Sequence, residues 1–162
     1  MKKKIFALLL RAGWIKKMSR NTYLCVNPEK IIRGLLDFKV PNIIKGADRP
    51  YAFTGLSAIE AWSDYSYVQR GIEKSPYFIK ILKKDVDYWK GLFGKYEVPV
   101  YTNGGTTIGE YVILEPVNKL EFVEKDDYKL ISLSETEDIA KKNEIYSYPY
   151  RYMRRKYGAA AN

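Results

Sequence analysis

The sequence predicts an α+β fold in two parts, on three observations. Near the start, a basic amphipathic segment runs straight into two β-prone runs that flank a short polar turn. Further on, strand-like and helix-like runs alternate, with turns at Asn103-Gly104-Gly105 and Asp126-Asp127. The charge is lopsided: residues 1–49 carry twelve Lys/Arg against three Asp/Glu, whereas residues 50–162 carry sixteen of each. The expected organisation is a basic module over 1–40 and a mixed α/β domain with a mainly antiparallel sheet over 50–158.

In the first part, Ile5, Leu8, Leu9 and Ala12 repeat at helical spacing, and Gly13 stands where a left-handed residue ends a helix. The runs Trp14-Ile15-Lys16-Lys17-Met18 and Thr22-Tyr23-Leu24-Cys25-Val26 then form a hairpin around Ser19-Arg20-Asn21. Asn27-Pro28-Glu29 places an N-cap before a proline at the first helical position. It opens a second helix with Ile31, Ile32, Leu35 and Leu36 on one face. Two prolines and a glycine between residues 40 and 50 read as a linker, at the charge boundary.

In the second part, residues 54–62 read as a short helix, 77–82 as a buried strand and 85–93 as a helix with Val86, Trp89, Leu92 and Phe93 inward. Strands at 98–102 and 106–114 are expected to form a hairpin across Asn103-Gly104-Gly105. Another strand pair is expected at 119–123 and 128–133, around Asp126-Asp127. Ser134-Glu135-Thr136-Glu137 has capping-box spacing and opens a final helix that Pro149 bends. Residues 158–162 read as a frayed end.

Composition excludes whole classes of chemistry. Cys25 is the single cysteine and histidine is absent, which removes disulfides, Cys/His zinc sites and every imidazole mechanism. Met1 to Leu10 begins like a leader, but its apolar run is short, Arg11 ends it, and no small-residue cleavage site follows. No stretch approaches membrane-spanning length, so the expected location is the cytoplasm, with no membrane partner. Gln69 is the only glutamine, while Ile, Lys, Glu and Tyr abound, a usage compatible with a thermophilic source.

A basic helix that feeds a basic hairpin matches the second half of a winged helix-turn-helix, in which the helix enters the major groove and the wing follows the phosphates. The helix offers Lys2, Lys3, Lys4 and Arg11 to double-stranded DNA, and the wing offers Lys16, Lys17, Arg20 and Asn21. Arg20 is the candidate for a minor groove. A winged helix has further helices ahead of its recognition helix, so the module reads as partial. The same charges also fit a solvated face with no partner.

These residues resemble a known family. Leu10-Arg11-Ala12-Gly13-Trp14-Ile15-Lys16-Lys17 followed by Asn21-Thr22-Tyr23 is similar to the recognition-helix-to-wing segment of the AbiEi family, antitoxin-type transcriptional regulators of AbiE abortive-infection systems. The body resembles archaeal members at Tyr51-Ala52-Phe53-Thr54-Gly55-Leu56-Ser57-Ala58, Ser75-Pro76-Tyr77-Phe78-Ile79-Lys80, Gly109-Glu110-Tyr111-Val112-Ile113-Leu114 and Asn143-Glu144-Ile145-Tyr146-Ser147-Tyr148. The likeness covers most of the chain, through structural rather than catalytic motifs. It implies an N-terminal domain that binds operator DNA and represses its own operon. It further implies a C-terminal domain that acts as antitoxin against a nucleotidyltransferase-type toxin, with no catalytic residue, cofactor or metal.

Other readings stay open. The chain can instead be a protein-binding module that captures a partner, such as a toxin, without DNA. A metal-dependent nuclease or nucleotidyltransferase would use Asp85-Val86-Asp87, or Asp127-Tyr128-Lys129 with Glu115 or Glu121. Asp85 and Asp87 fall at a predicted helix start, where acidic side chains meet the dipole, and no Gly-Ser pair precedes them. Asp126-Asp127 more simply makes a turn. The tail interleaves Tyr146, Tyr148, Tyr150, Tyr152 and Tyr157 with Arg151, Arg154, Arg155 and Lys156. That pattern fits tyrosines packed on the sheet beneath wet arginines, or a secondary phosphate or partner contact.

Overall fold

The hairpin expected between residues 14 and 26 is present in the computed structural model, which describes residues 6–7, 9–10, 15–25, 38–69, 74–102 and 104–158. Strands β1 (Ile15–Lys17) and β2 (Tyr23–Cys25) pair antiparallel, with Ile15 opposite Cys25 and Lys17 opposite Tyr23. Met18 N–H donates to the Thr22 carbonyl at 2.9 Å and closes the loop. Residues 6–7 and 9–10 are helical, and the Phe6 ring meets Tyr23 edge-on at 4.6 Å. The second helix expected after Asn27 and the frayed end at 159–162 lie outside the described residues.

The chain divides into two units, residues 1–38 and 39–162. The stretch from 40 to 50, expected as a linker, therefore belongs to the second unit and carries helix α1 (Val40–Lys45). Pro41 sits in the first turn, where a missing N–H costs nothing. The Glu110 carboxylate accepts from the backbone N–H of Lys39 at 3.1 Å and of Val40 at 3.0 Å, so the cap comes from seventy residues away. Val40 and Ile44, one turn apart, are fully buried.

After α1 come β3 (Tyr51–Phe53), α2 (Gly55–Trp62), β4 (Lys74–Leu82), a 3₁₀ turn at Lys83–Asp85 and α3 (Val86–Lys95). Strands β5 (Val100–Thr102), β6 (Gly109–Val117), β7 (Val123–Lys125) and β8 (Tyr128–Leu130) follow. Helix α4 (Leu133–Lys141), a 3₁₀ turn at Glu144–Tyr146 and α5 (Ser147–Tyr157) complete the unit. The fold is α+β around one mixed six-stranded sheet, in the order β5-β6-β4-β3-β8-β7. The antiparallel expectation holds at β1–β2, β3–β4 and β7–β8, whereas β4–β6, β5–β6 and β3–β8 run parallel.

The hairpin expected across Asn103-Gly104-Gly105 is not formed, because β5 pairs with β6 in parallel, Val100 opposite Val112 and Thr102 opposite Leu114. The connection doubles back instead, and Gly105 lies directly against the Tyr101 side chain. The strand expected at 119–123 is mostly loop and begins only at Val123. The helix cap is Ser132 rather than Ser134: its hydroxyl accepts from Glu135 N–H at 3.2 Å. The single bent helix is two helices, and Pro149 falls in the first turn of the second one.

Alternation along β4 sorts the layers. Tyr77, Ile79 and Ile81 are buried on one face, which Trp89 and Phe93 of α3 share with Tyr51 and Phe53. Fully burying side chains of this size contributes about 1.5–3 kcal/mol each. On the other face Phe78 lies beneath Gly55 of α2, and Lys80 pairs with Glu135 of α4. Pro76 is tolerated in this central strand. Phe78 N–H turns toward Ser57 Oγ (3.0 Å), and alternation directs the Pro76 nitrogen to that same side, where β3 has ended.

Candidate nucleic-acid interface

Consecutive strand residues leave from opposite faces, so Lys16 and Lys17 do not point together. Lys16 shares its face with Leu24, which is 54% exposed, while Lys17 shares the Tyr23 face against which Phe6 packs. All four predicted wing residues (Lys16, Lys17, Arg20 and Asn21) are exposed, and Arg20 and Asn21 stand at the hairpin tip. The outer face is thus Lys16, Leu24 and the tip. Lys2, Lys3, Lys4 and Arg11 lie outside the described residues. At the structural boundary the first unit holds nine Lys/Arg against two Asp/Glu and the second nineteen against seventeen, so the basic field survives the shift in boundary.

The four cations of the tail separate into two kinds. Arg154 meets Glu137 at 3.5 Å and Lys156 meets Asp64. Arg151 and Arg155 have no carboxylate partner among the described residues. Together with Tyr148 and Tyr152 they line a surface groove of about 310 Å³. The buried face of α5 is carried by Pro149 and Met153, and Tyr157 meets Trp62 edge-on at 5.5 Å.

Asp64, which composition and spacing did not single out, is the centre of a polar cluster. It follows α2 in a left-handed conformation (φ 51°) that aspartate tolerates better than most residues. Its carboxylate accepts from Tyr152 Oη at 2.8 Å, from Lys125 Nζ at 3.1 Å and from Lys156. Partial burial would raise its pKa, but those three hydrogen bonds outweigh burial and hold it at about 2. Lys125 also donates to the Ala61 carbonyl at 3.0 Å and to Asp126 at 2.7 Å. Burial alone would lower the Lys125 pKa; the bonds to Asp126 and Asp64 raise it. The cluster ties α5 and the β7–β8 turn to the end of α2.

The carboxylates considered for catalysis are dispersed. Asp85 is buried beside Arg49 at 3.9 Å, and its side chain does not cap α3 through a hydrogen bond. Asp126 and Asp127 (φ 50° and 63°) make the tight β7–β8 turn. Glu115 pairs with Lys80 at 3.6 Å on β6, three strands from β8 and therefore about 14 Å away in the sheet. Glu121 pairs with Lys119 at 2.5 Å. Among the described residues no group of three or more Asp, Glu or Cys is placed to hold a metal ion, and no helix is long and apolar enough to cross a membrane.

A second feature that sequence reading missed is an open groove of about 530 Å³ on the second unit. Its floor is Pro76, Phe78, Tyr111 and Ile113 of β4 and β6, with Leu56 and Tyr146 as walls. Comparison of the chain with family models, curated proteins and solved structures finds no match in any of the three.

Proposed function

We propose that the chain is a non-catalytic, DNA-binding regulator of antitoxin type, whose N-terminal helix and hairpin act as a partial winged-helix module on double-stranded operator DNA. The observation that carries this reading is the basic hairpin: Lys16 and Lys17 on β1 and Arg20 and Asn21 at its tip all stand exposed, in the unit that holds the excess charge. A ribbon of this kind lies along phosphates, and its affinity comes from counterion release. The AbiEi resemblance supports the same reading, and the 530 Å³ groove of the second unit supports capture of a protein, a nucleotidyltransferase-type toxin in that family.

Titration of duplex DNA by fluorescence anisotropy over a salt series tests the proposal. The logarithm of affinity should fall linearly with that of salt, by about 0.9 for each phosphate engaged. Lys16→Glu, on the outer face, should weaken binding more than Lys17→Glu, on the Phe6 side. Undiminished affinity in Lys16→Glu with Arg20→Glu would remove the wing assignment.

The protein-binding reading without DNA rests on the same groove. It predicts partner capture that Phe78→Asp abolishes and Lys16→Glu leaves alone.

A further inference from the structure

We propose that the outward stripe of α5, formed by Tyr148, Arg151, Tyr152 and Arg155, is a second and independent site that takes single-stranded nucleic acid. These residues stand at i, i+3, i+4 and i+7, which places them on one helix face opposite buried Pro149 and Met153. They line one groove, and Tyr148 is 55% exposed. Three of the four side chains are held in place. Tyr152 is held by its hydroxyl on Asp64 (2.8 Å), the Arg155 guanidinium lies 6.0 Å from the Tyr152 ring centre, and Arg151 Nε donates to the Ser147 carbonyl at 3.3 Å.

Charge and geometry together select the ligand class. The other cations of the helix, Arg154 and Lys156, are spent on Glu137 and Asp64, so the two guanidinium charges in the groove face solvent without a carboxylate among the described residues. The tyrosines are one turn apart, as are the arginines, a rise of about 6 Å in each case. A flexible strand presents bases and phosphates in alternation. Guanidinium groups pair with the phosphates and the rings offer stacking platforms to the bases. In a duplex the bases are already stacked, so only the arginines would find partners. An acidic peptide likewise engages the arginines and ignores the rings.

The test uses the full chain and a labelled oligothymidylate of about twelve nucleotides, within the span of known single-strand sites. A blunt duplex of equal length and a glutamate peptide are run beside it, with anisotropy as readout. Tyr148→Ala should weaken the single strand about tenfold and leave the duplex unchanged. Arg151→Gln with Arg155→Gln should lower the salt slope by about 0.7 per arginine. Lys16→Glu should leave oligothymidylate affinity intact while it weakens the duplex, which separates this site from the hairpin. Tyr148 and both arginines are solvent-facing, so the variants keep the fold, and an unchanged urea midpoint verifies it. The proposal is overturned if wild type fails to bind oligothymidylate at low salt, or if Lys16→Glu rather than the α5 variants abolishes binding. It is equally overturned if the glutamate peptide competes on equal terms and Tyr148→Ala has no effect.

Discussion

The Tyr152 hydroxyl donates to Oδ2 of Asp64 at 2.8 Å across eighty-eight positions of sequence, and this bond joins the last helix to the turn that ends α2. The same carboxylate holds Lys125 and Lys156. Asp64→Asn keeps a residue that tolerates the left-handed conformation but removes the charge that three donors share. The lysines then lose their common counter-charge, and an amide nitrogen replaces one accepting oxygen. Since the carboxylate is partly wet, the expected loss is about 1 kcal/mol, read as a lower urea midpoint at constant slope.

The sign of the pH dependence follows from the same group. Asp64 has its pKa lowered from an ordinary 3.8 to about 2, so its contribution is complete above pH 4 and disappears as pH falls through 2. Urea midpoints of wild type and Asp64→Asn should differ most above pH 4 and converge toward pH 2. A gap that persists unchanged at pH 2 would show that the carboxylate charge is not what the cluster uses.

The parts of the fold that were legible in the sequence are those decided locally. Asp126-Asp127 makes its predicted turn because aspartate accepts positive φ at both positions. The basic hairpin is where its β-prone runs placed it. Two of the failures came from distant partners. Pro41 read as a breaker because nothing nearby shows that Glu110 caps its helix. Asn103-Gly104-Gly105 has strong hairpin chemistry, yet Val100 pairs with Val112 in parallel and Tyr101 packs on Tyr111 at 5.8 Å, so sheet packing outvotes the turn. The candidate site was half legible. Exposure of the wing cations follows from composition, whereas the division of the tail cations depends on Asp64 and Glu137, remote acids that no local spacing reveals.

Two tryptophans offer a controlled comparison of a buried hydrogen bond. Trp62 Nε1 donates to the Ile131 carbonyl at 3.0 Å, while the buried Trp89 Nε1 has no acceptor among the described residues. Replacement by Phe removes the same volume at both positions. At position 62 it also strips a buried carbonyl of its donor, which costs about 1–3 kcal/mol more. Trp89→Phe keeps a ring against Phe93 and Tyr51 and loses no bond. Denaturant melts should therefore rank Trp62→Phe below Trp89→Phe by about 1–3 kcal/mol; equal losses would mean the Trp62 bond contributes nothing net.

Glycine substitutions separate steric need from mere tolerance. A Cβ at Gly105 would collide with the Tyr101 ring and come within 2.8 Å of its Cβ, a backbone-linked atom that cannot swing aside. The β5–β6 connection must shift to admit it, at about 1–3 kcal/mol. Gly94, exposed in α3, has nothing within 4 Å of a built Cβ and no positive φ. Alanine there removes backbone entropy from the unfolded chain and should stabilise by about 0.5–1 kcal/mol. Gly105→Ala and Gly94→Ala should thus move the thermal midpoint in opposite directions. A Gly105→Ala protein as stable as wild type would show that this connection does not lie against Tyr101.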